Sequence, residues 1–160
     1  MGSVAGALVL GLVLLAASTV EVGAWGKEER SVSVGGKVVC QDCTKGWNEW
    51  VKGSHPLKGV KVGVMCTDER KKVVYYNSGS TDDGGRFEIP IRADGRKNVD
   101  EKRCTVRILS SPDPICNVPT DFGRGKSGAK LTRPSFVFRN TIKYVVGPFY
   151  FTTLICERAT

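Results

Sequence analysis

Cys40 and Cys43, three apart in VVCQDCTKGW, admit three chemistries: a redox dithiol, half of a zinc site, or two anchors of a disulfide framework. A redox dithiol sits at a helix N-terminus, in a setting of alternating strands and helices where the attacking thiol's pKa is lowered, and this chain shows no such alternation. Zinc would require a second closely spaced ligand pair, but Cys104 and Cys116 are twelve apart and the one histidine is His55. The framework reading makes Cys40 and Cys43 the end of one strand, each tied to a distant partner, and leaves no free thiol.

Hydrolytic chemistry finds less support. A catalytic triad needs a histidine beside a nucleophile, whereas His55 lies in the turn-like stretch GSHPLKG and no G-x-S-x-G motif occurs. His55 is expected in an exposed loop. Glycoside hydrolysis needs two carboxylates held across a cleft, but Asp82 and Asp83 are adjacent beside Gly84-Gly85 and read as turn residues capping local amides. Asp100 and Glu101 lie in a charged loop and receive the same reading. No catalytic, metal-ligating or cofactor-binding residue emerges, and the chain is expected not to be an enzyme. Phe149, Tyr150 and Phe151 with Trp47 and Trp50 could form a sugar-stacking platform, although aromatic residues in a strand more often belong to the core.

Charge is the stronger signal. The chain carries 24 Lys and Arg against 16 Asp and Glu, a formal net charge of +8. Such a field concentrates a protein near polyanions. Arg92, Arg96, Lys97, Arg103 and Arg107, which fall in the clusters RADGRK and EKR and on a following strand, are the candidate polyanion-binding residues. Nucleic acid is not the expected partner, since no recognition motif appears and the chain reads as exported.

The export reading comes from residues 5–17, an uncharged apolar run followed by small residues and then KEER. A span of that length is too short to cross a bilayer and no second one follows, so the chain is expected to be secreted without a transmembrane segment. Val22 and Ala24 place cleavage after Ala24, with Ser18 as the second choice, giving a signal peptide over residues 1–24 and one domain over residues 25–160. The remaining 136 residues (160 less 24) carry 24 basic and 15 acidic side chains, Glu21 having been lost from the 16, for a net of about +9. All six cysteines lie in this part and, in an oxidising compartment, read as three disulfides, which six cysteines can make in 15 ways.

The elements that must hold these groups are short strands. In VKVGVMC, Val60, Val62, Val64 and Cys66 alternate inward; in RFEIPIR, Phe87, Ile89 and Ile91 face in while Arg86, Glu88 and Arg92 face out. Pro90 places that second strand at an edge or on a bulge. In RCTVRIL, Cys104, Val106 and Ile108 face in. Further strands are expected at residues 33–40, 72–77, 135–139 and 149–156, with turns at residues 77–79, 82–85, 94–95 and 112–114. About seven short strands read as a single all-β antiparallel sandwich or barrel, transthyretin-like or immunoglobulin-like, held by three disulfides. Residues 44–53 could make a helical turn or two, and residues 120–130, TDFGRGKSGAK, read as a mobile exposed loop.

GKVVCQDC, LKGVKVGVMC, DDGGRFEI, RCTVRILSSPDPIC and VGPFYFTTLIC resemble, in order and spacing, the plant pollen Ole e I allergen and extensin family over almost the whole of residues 25–160, with all six cysteines in matching positions. The chain departs from the family's usual pattern at Val39, Gln41 and Thr44, and its seven prolines form no extensin-like tract. The resemblance implies the pairs Cys40–Cys116, Cys43–Cys156 and Cys66–Cys104; the alternation of the strands supports only the last of these, since both cysteines face inward.

The expected function is thus that of a secreted, non-enzymatic protein of the plant extracellular matrix, without cofactors, whose basic residues associate with acidic cell-wall polysaccharide such as pectin. The resemblance adds a role in cell-wall or tip growth. The alternative is a secreted protein-interaction module, a ligand or inhibitor, acting on an extracellular protein through the loops at residues 45–57 and 120–133.

Overall fold

The computed structural model describes residues 30–41, 54–92 and 99–157. The expected signal peptide, the helical turn at residues 44–53 with Trp47 and Trp50, Cys43, Arg96 and Lys97 lie outside them. Among the described residues no helix is long and apolar enough to cross a membrane.

Ten strands among the described residues form two sheets. The first contains β1 (Ser31–Gln41), β2 (His55–Pro56), β5 (Arg86–Ile91), β7 (Cys116–Pro119), β9 (Phe136–Phe138) and β10 (Thr141–Thr153); the second contains β3 (Lys61–Thr67), β4 (Val73–Ser80), β6 (Cys104–Ser110) and β8 (Ala129–Lys130). The alternation read in the sequence decides which side of each strand is buried. Val60, Val62, Val64 and Cys66 are all fully buried, as are Cys104 and Val106 opposite them. Phe87, Ile89 and Ile91 face in from β5, which pairs only with β1, so Pro90 sits on an edge strand where its missing N–H costs no ladder bond. These faces, with Val32, Val34, Val38, Phe149 and Phe151, close one core in which the Phe87 and Phe149 rings stack 6.2 Å apart.

Three expectations change. The sheets are antiparallel except at one pair, since β1 and β10 run parallel from Ser31↔Thr141 to Gln41↔Thr152. The last strand begins at Thr141 rather than at Phe149 and stops at Thr153, leaving Cys156 in the helical turn Leu154–Glu157. Its first half escaped the pattern because β10 carries one more residue than β1 around Gly147-Pro148: Gly36 faces Val146, yet Val38 faces Phe149. Alternation therefore restarts in a new phase. Third, residues 120–130 are fastened. The turn Phe122–Arg124 contacts β10, Asp121 Oδ1 accepts the Ser127 N–H at 2.7 Å, and Ala129–Lys130 pairs with β6.

Cys40 is bonded to Cys116 and Cys66 to Cys104, two of the pairings implied by the resemblance. The first bond removes the redox reading of Cys40 and Cys43. Cys156 is also disulfide-bonded.

Candidate functional site

Of the five basic residues singled out from the sequence, Arg92, Arg103 and Arg107 are among those described, the first beside the first sheet and the other two on the second. Arg92 follows β5 in the first sheet, exposed, with its backbone N–H 3.3 Å from Tyr75 Oη. Arg103 enters β6 in the second sheet, and its guanidinium lies 3.3 Å from Glu69 and 3.4 Å from Asp100, so two carboxylates already offset its charge. Arg107, outward on the same strand, donates from Nε and Nη2 to the Ser127 carbonyl at 3.1 and 2.9 Å. That contact fixes the side chain without neutralising it.

A different basic surface is built on the outer face of the first sheet. Strands β5, β1 and β10 lie side by side, and their outward positions fall into register: Arg86 opposite Lys37, Glu88 opposite Gly35 opposite Val145, and Pro90 opposite Ser33 opposite Lys143. At the centre Gly35 has no side chain, and a Cβ there would meet the Phe87 carbonyl at 3.1 Å and Lys143 Cε at 3.5 Å. The result is an open groove of about 660 Å³ whose walls include Lys37, Arg86, Lys143 and Gly147.

Of the two acids that line this groove only Glu88 is offset by a cation, and three cations, Lys37, Arg86 and Lys143, stand against the two. Asp82 Oδ1 accepts the backbone N–H groups of Gly84 and Arg86 at 2.9 and 2.8 Å, the local capping expected of it. Glu88 accepts from Lys143 Nζ at 2.8 Å and from Ser33 Oγ at 3.0 Å. The Lys143 ammonium, and after it the Ser33 hydroxyl, hold the Glu88 carboxyl below its usual range. Lys37 and Arg86 make no ion pair among the described residues and leave the groove positive.

Across Val145–Gly147 lies a second hollow of about 400 Å³, reached by Arg124 and Lys130. Arg124 is held in place by its turn. Gly128 N–H donates to the Arg124 carbonyl at 2.8 Å, and Gly125 beside it packs so closely that a Cβ would touch Ile108 and Phe149 at 3.1 and 3.2 Å. The two hollows put Lys37 and Arg86 on one side of this stretch of β10 and Arg124 and Lys130 on the other. Such a surface supplies fixed positive charge for reversible binding of an extended anion, in a salt-dependent way.

Sequence reading placed Arg86 outward but did not join it to Lys37, Arg124 and Lys130. The signal within each strand was the alternation; what joins the strands is the long-range β1–β10 pairing, which local pattern does not encode. His55 is exposed, on the short β2 opposite Cys40 rather than in a loop. Phe149 and Phe151 are fully buried core residues and so cannot form the sugar-stacking platform. Among the described residues no group of three or more His, Cys, Asp or Glu side chains could hold a metal ion.

No family model matches the chain. Over 131 residues it is 30% identical to a pistil-specific extensin-like protein of Nicotiana tabacum, an overlap covering 74% of this chain and 29% of that protein. Over 86 residues it is 33% identical to an Olee1-like protein of Betula pendula, covering 52% of this chain and 48% of that one. The chain thus spans less than a third of the first relative's length and about half of the second's. Among solved structures it resembles the major plantain pollen allergen Pla l 1, with a TM-score of 0.55 at 22% identity over 78% of this chain and 94% of that one, a likeness of fold.

Proposed function

The chain belongs to the pollen Ole e I allergen and extensin family, and from that premise we propose that it is a secreted, non-enzymatic protein of the plant cell wall that associates with acidic wall polysaccharide. The observation that carries this reading is the groove on the outer face of the first sheet, where Lys37, Arg86 and Lys143 outnumber the carboxylates of Asp82 and Glu88, and Lys37 and Arg86 make no ion pair among the described residues. Arg124 and Lys130 extend the positive surface past Val145–Gly147. A polymer with a carboxylate on each sugar offers the repeating negative charge that such a surface attracts, and its neutral ester does not. The names of the relatives, extensin-like and Olee1-like, accord with a wall or pollen setting.

The test is binding of the purified protein to polygalacturonate and to its highly methyl-esterified form across a salt series. Binding to the acidic polymer alone, weakening as salt rises and reduced by Lys37→Gln with Arg86→Gln, is the expected result. Equal binding to both polymers, or none at low salt, would overturn the reading and leave an extracellular protein as the partner to seek.

A further inference from the structure

β9 presents an aromatic pair that the groove does not account for. Phe136 stands opposite Lys143 and Phe138 opposite Thr141 in the β9–β10 register, so both rings project on the side of the sheet that carries the groove. Their residues are 52% and 58% exposed, the ring centroids are 6.4 Å apart and the planes are tilted by 36°. The Arg139 guanidinium carbon lies 5.4 Å from the centre of the Phe138 ring.

The hairpin holding these rings is anchored. Ser135 N–H donates to the Lys143 carbonyl at 2.8 Å, Val145 N–H to Ser135 Oγ at 3.2 Å, and Ser31 N–H to the Asn140 carbonyl at 2.8 Å. Two large apolar rings are therefore presented to solvent from a fixed backbone, an arrangement that marks binding surfaces. The surroundings bear on the ligand. From Phe122 to Cys156 the sequence contains no Asp or Glu but has six cations: Arg124, Lys126, Lys130, Arg133, Arg139 and Lys143.

We propose that Phe136 and Phe138 form a saccharide-stacking subsite continuous with the basic groove, taking the apolar C–H face of a sugar ring in a uronic-acid polymer while Arg139 meets its carboxylate. The inference rests on the wall-polysaccharide reading above and adds to it the sub-surface that recognises the sugar rather than the charge. Stacking needs flat apolar rings on one face, and a uronide needs cations beside them; both are present. Beyond the rings the face continues through Lys143, Glu88 and Ser33, groups that can exchange hydrogen bonds with ring hydroxyls. A bilayer would meet those polar groups at the depth of the rings, which favours the sugar over a lipid surface.

The experiment compares the wild-type chain with Phe136→Ala, Phe138→Ala and their double variant by affinity electrophoresis in polygalacturonate, over the same salt series as a Lys37→Gln/Arg86→Gln variant. Each ring removed should weaken binding by roughly three- to tenfold, the worth of one aromatic contact, and leave the salt dependence unchanged. The charge variant should instead flatten the salt dependence. Phe138→Trp should preserve binding, and because both rings are exposed the alanine variants should melt with the wild type. Wild-type binding that the double alanine variant retains in full would overturn the stacking subsite while leaving the polyanion reading intact. No wild-type binding at any salt would overturn both. Loss by the double variant of binding to anionic phospholipid vesicles, with polygalacturonate binding intact, would also overturn it and assign the rings to a membrane.

Discussion

Lys143 on β10 reaches past β1 to place its ammonium 2.8 Å from Glu88 on β5. The same contact closes one wall of the groove and ties up a cation that a polyanion would otherwise meet. Glu88→Gln removes a negative charge and frees that ammonium. Tighter binding to polygalacturonate than wild type at low salt is therefore expected. The stability cost should be small, at most about 1 kcal/mol, because the Glu88 side chain is 56% exposed and the pair is screened by solvent. Titrating both proteins with the polymer and melting both thermally checks the two halves of the prediction.

Acid should loosen the fold at three carboxylates, Glu88, Asp113 and Asp121. Glu88 is held low by Lys143 and then Ser33; Asp113 by the backbone N–H groups of Cys116 and then Ile115; Asp121 by Ser127. Each folded value lies below the unfolded one, so the stabilisation is fully present above the ordinary carboxylate range and is lost as pH falls through the lowered values. Melting temperature should hold steady through neutral and mildly acid pH and decline only below that range. Asp113→Asn should make the decline shallower, because it takes one of these protonations out of the folding equilibrium.

How much of this was legible in the sequence depended on whether neighbours were local. Val60, Val62, Val64 and Cys66 could be read inward because a half-buried antiparallel strand alternates strictly, and Pro90 marked its edge strand by the donor it lacks. β10 could not be read whole, since the extra residue at Gly147-Pro148 resets its phase and its partner β1 lies at the other end of the described chain. The basic residues divided along the same line. Density singled out Arg103, but the Glu69 that offsets it arrives from 34 residues away. Lys37 and Arg86 are isolated in sequence and adjacent only once β1 and β5 pair.

Thr81 is buried, and its hydroxyl serves two backbone groups: it donates to the Leu57 carbonyl at 2.5 Å and accepts the Val60 N–H at 2.9 Å. Thr81→Val keeps the shape but strands both partners where water is scarce. A loss of about 1–3 kcal/mol in urea unfolding is expected, and Thr81→Ser should recover most of it by restoring the hydroxyl. A loss for Thr81→Ser with none for Thr81→Val would mean that the methyl group, not the hydrogen bonds, matters here.

Gly36 leaves space that Phe87 fills. A Cβ at this position would lie 2.5 Å from the Val146 carbonyl and 2.7 Å from the Phe87 ring, so backbone or core ring must move. Gly36→Ala should destabilise by roughly 1–3 kcal/mol through overpacking. Because Phe87 stacks on Phe149, pairing the change with Phe87→Leu should recover part of the loss, and a double-mutant cycle on unfolding free energies would measure the coupling.

The last prediction separates charge density from charge availability. Arg103 lies among like residues in the sequence, yet its guanidinium is within 3.4 Å of two carboxylates; Arg86 makes no ion pair among the described residues and borders the groove. Each substitution to Gln removes one positive charge, so the two variants have the same net charge and any difference must come from position. Arg86→Gln should weaken polygalacturonate binding several-fold at low salt and reduce its salt dependence, whereas Arg103→Gln should bind nearly as wild type. If the two variants lose affinity equally, the polymer responds to the overall field of the protein, and the groove on the first sheet is not its site.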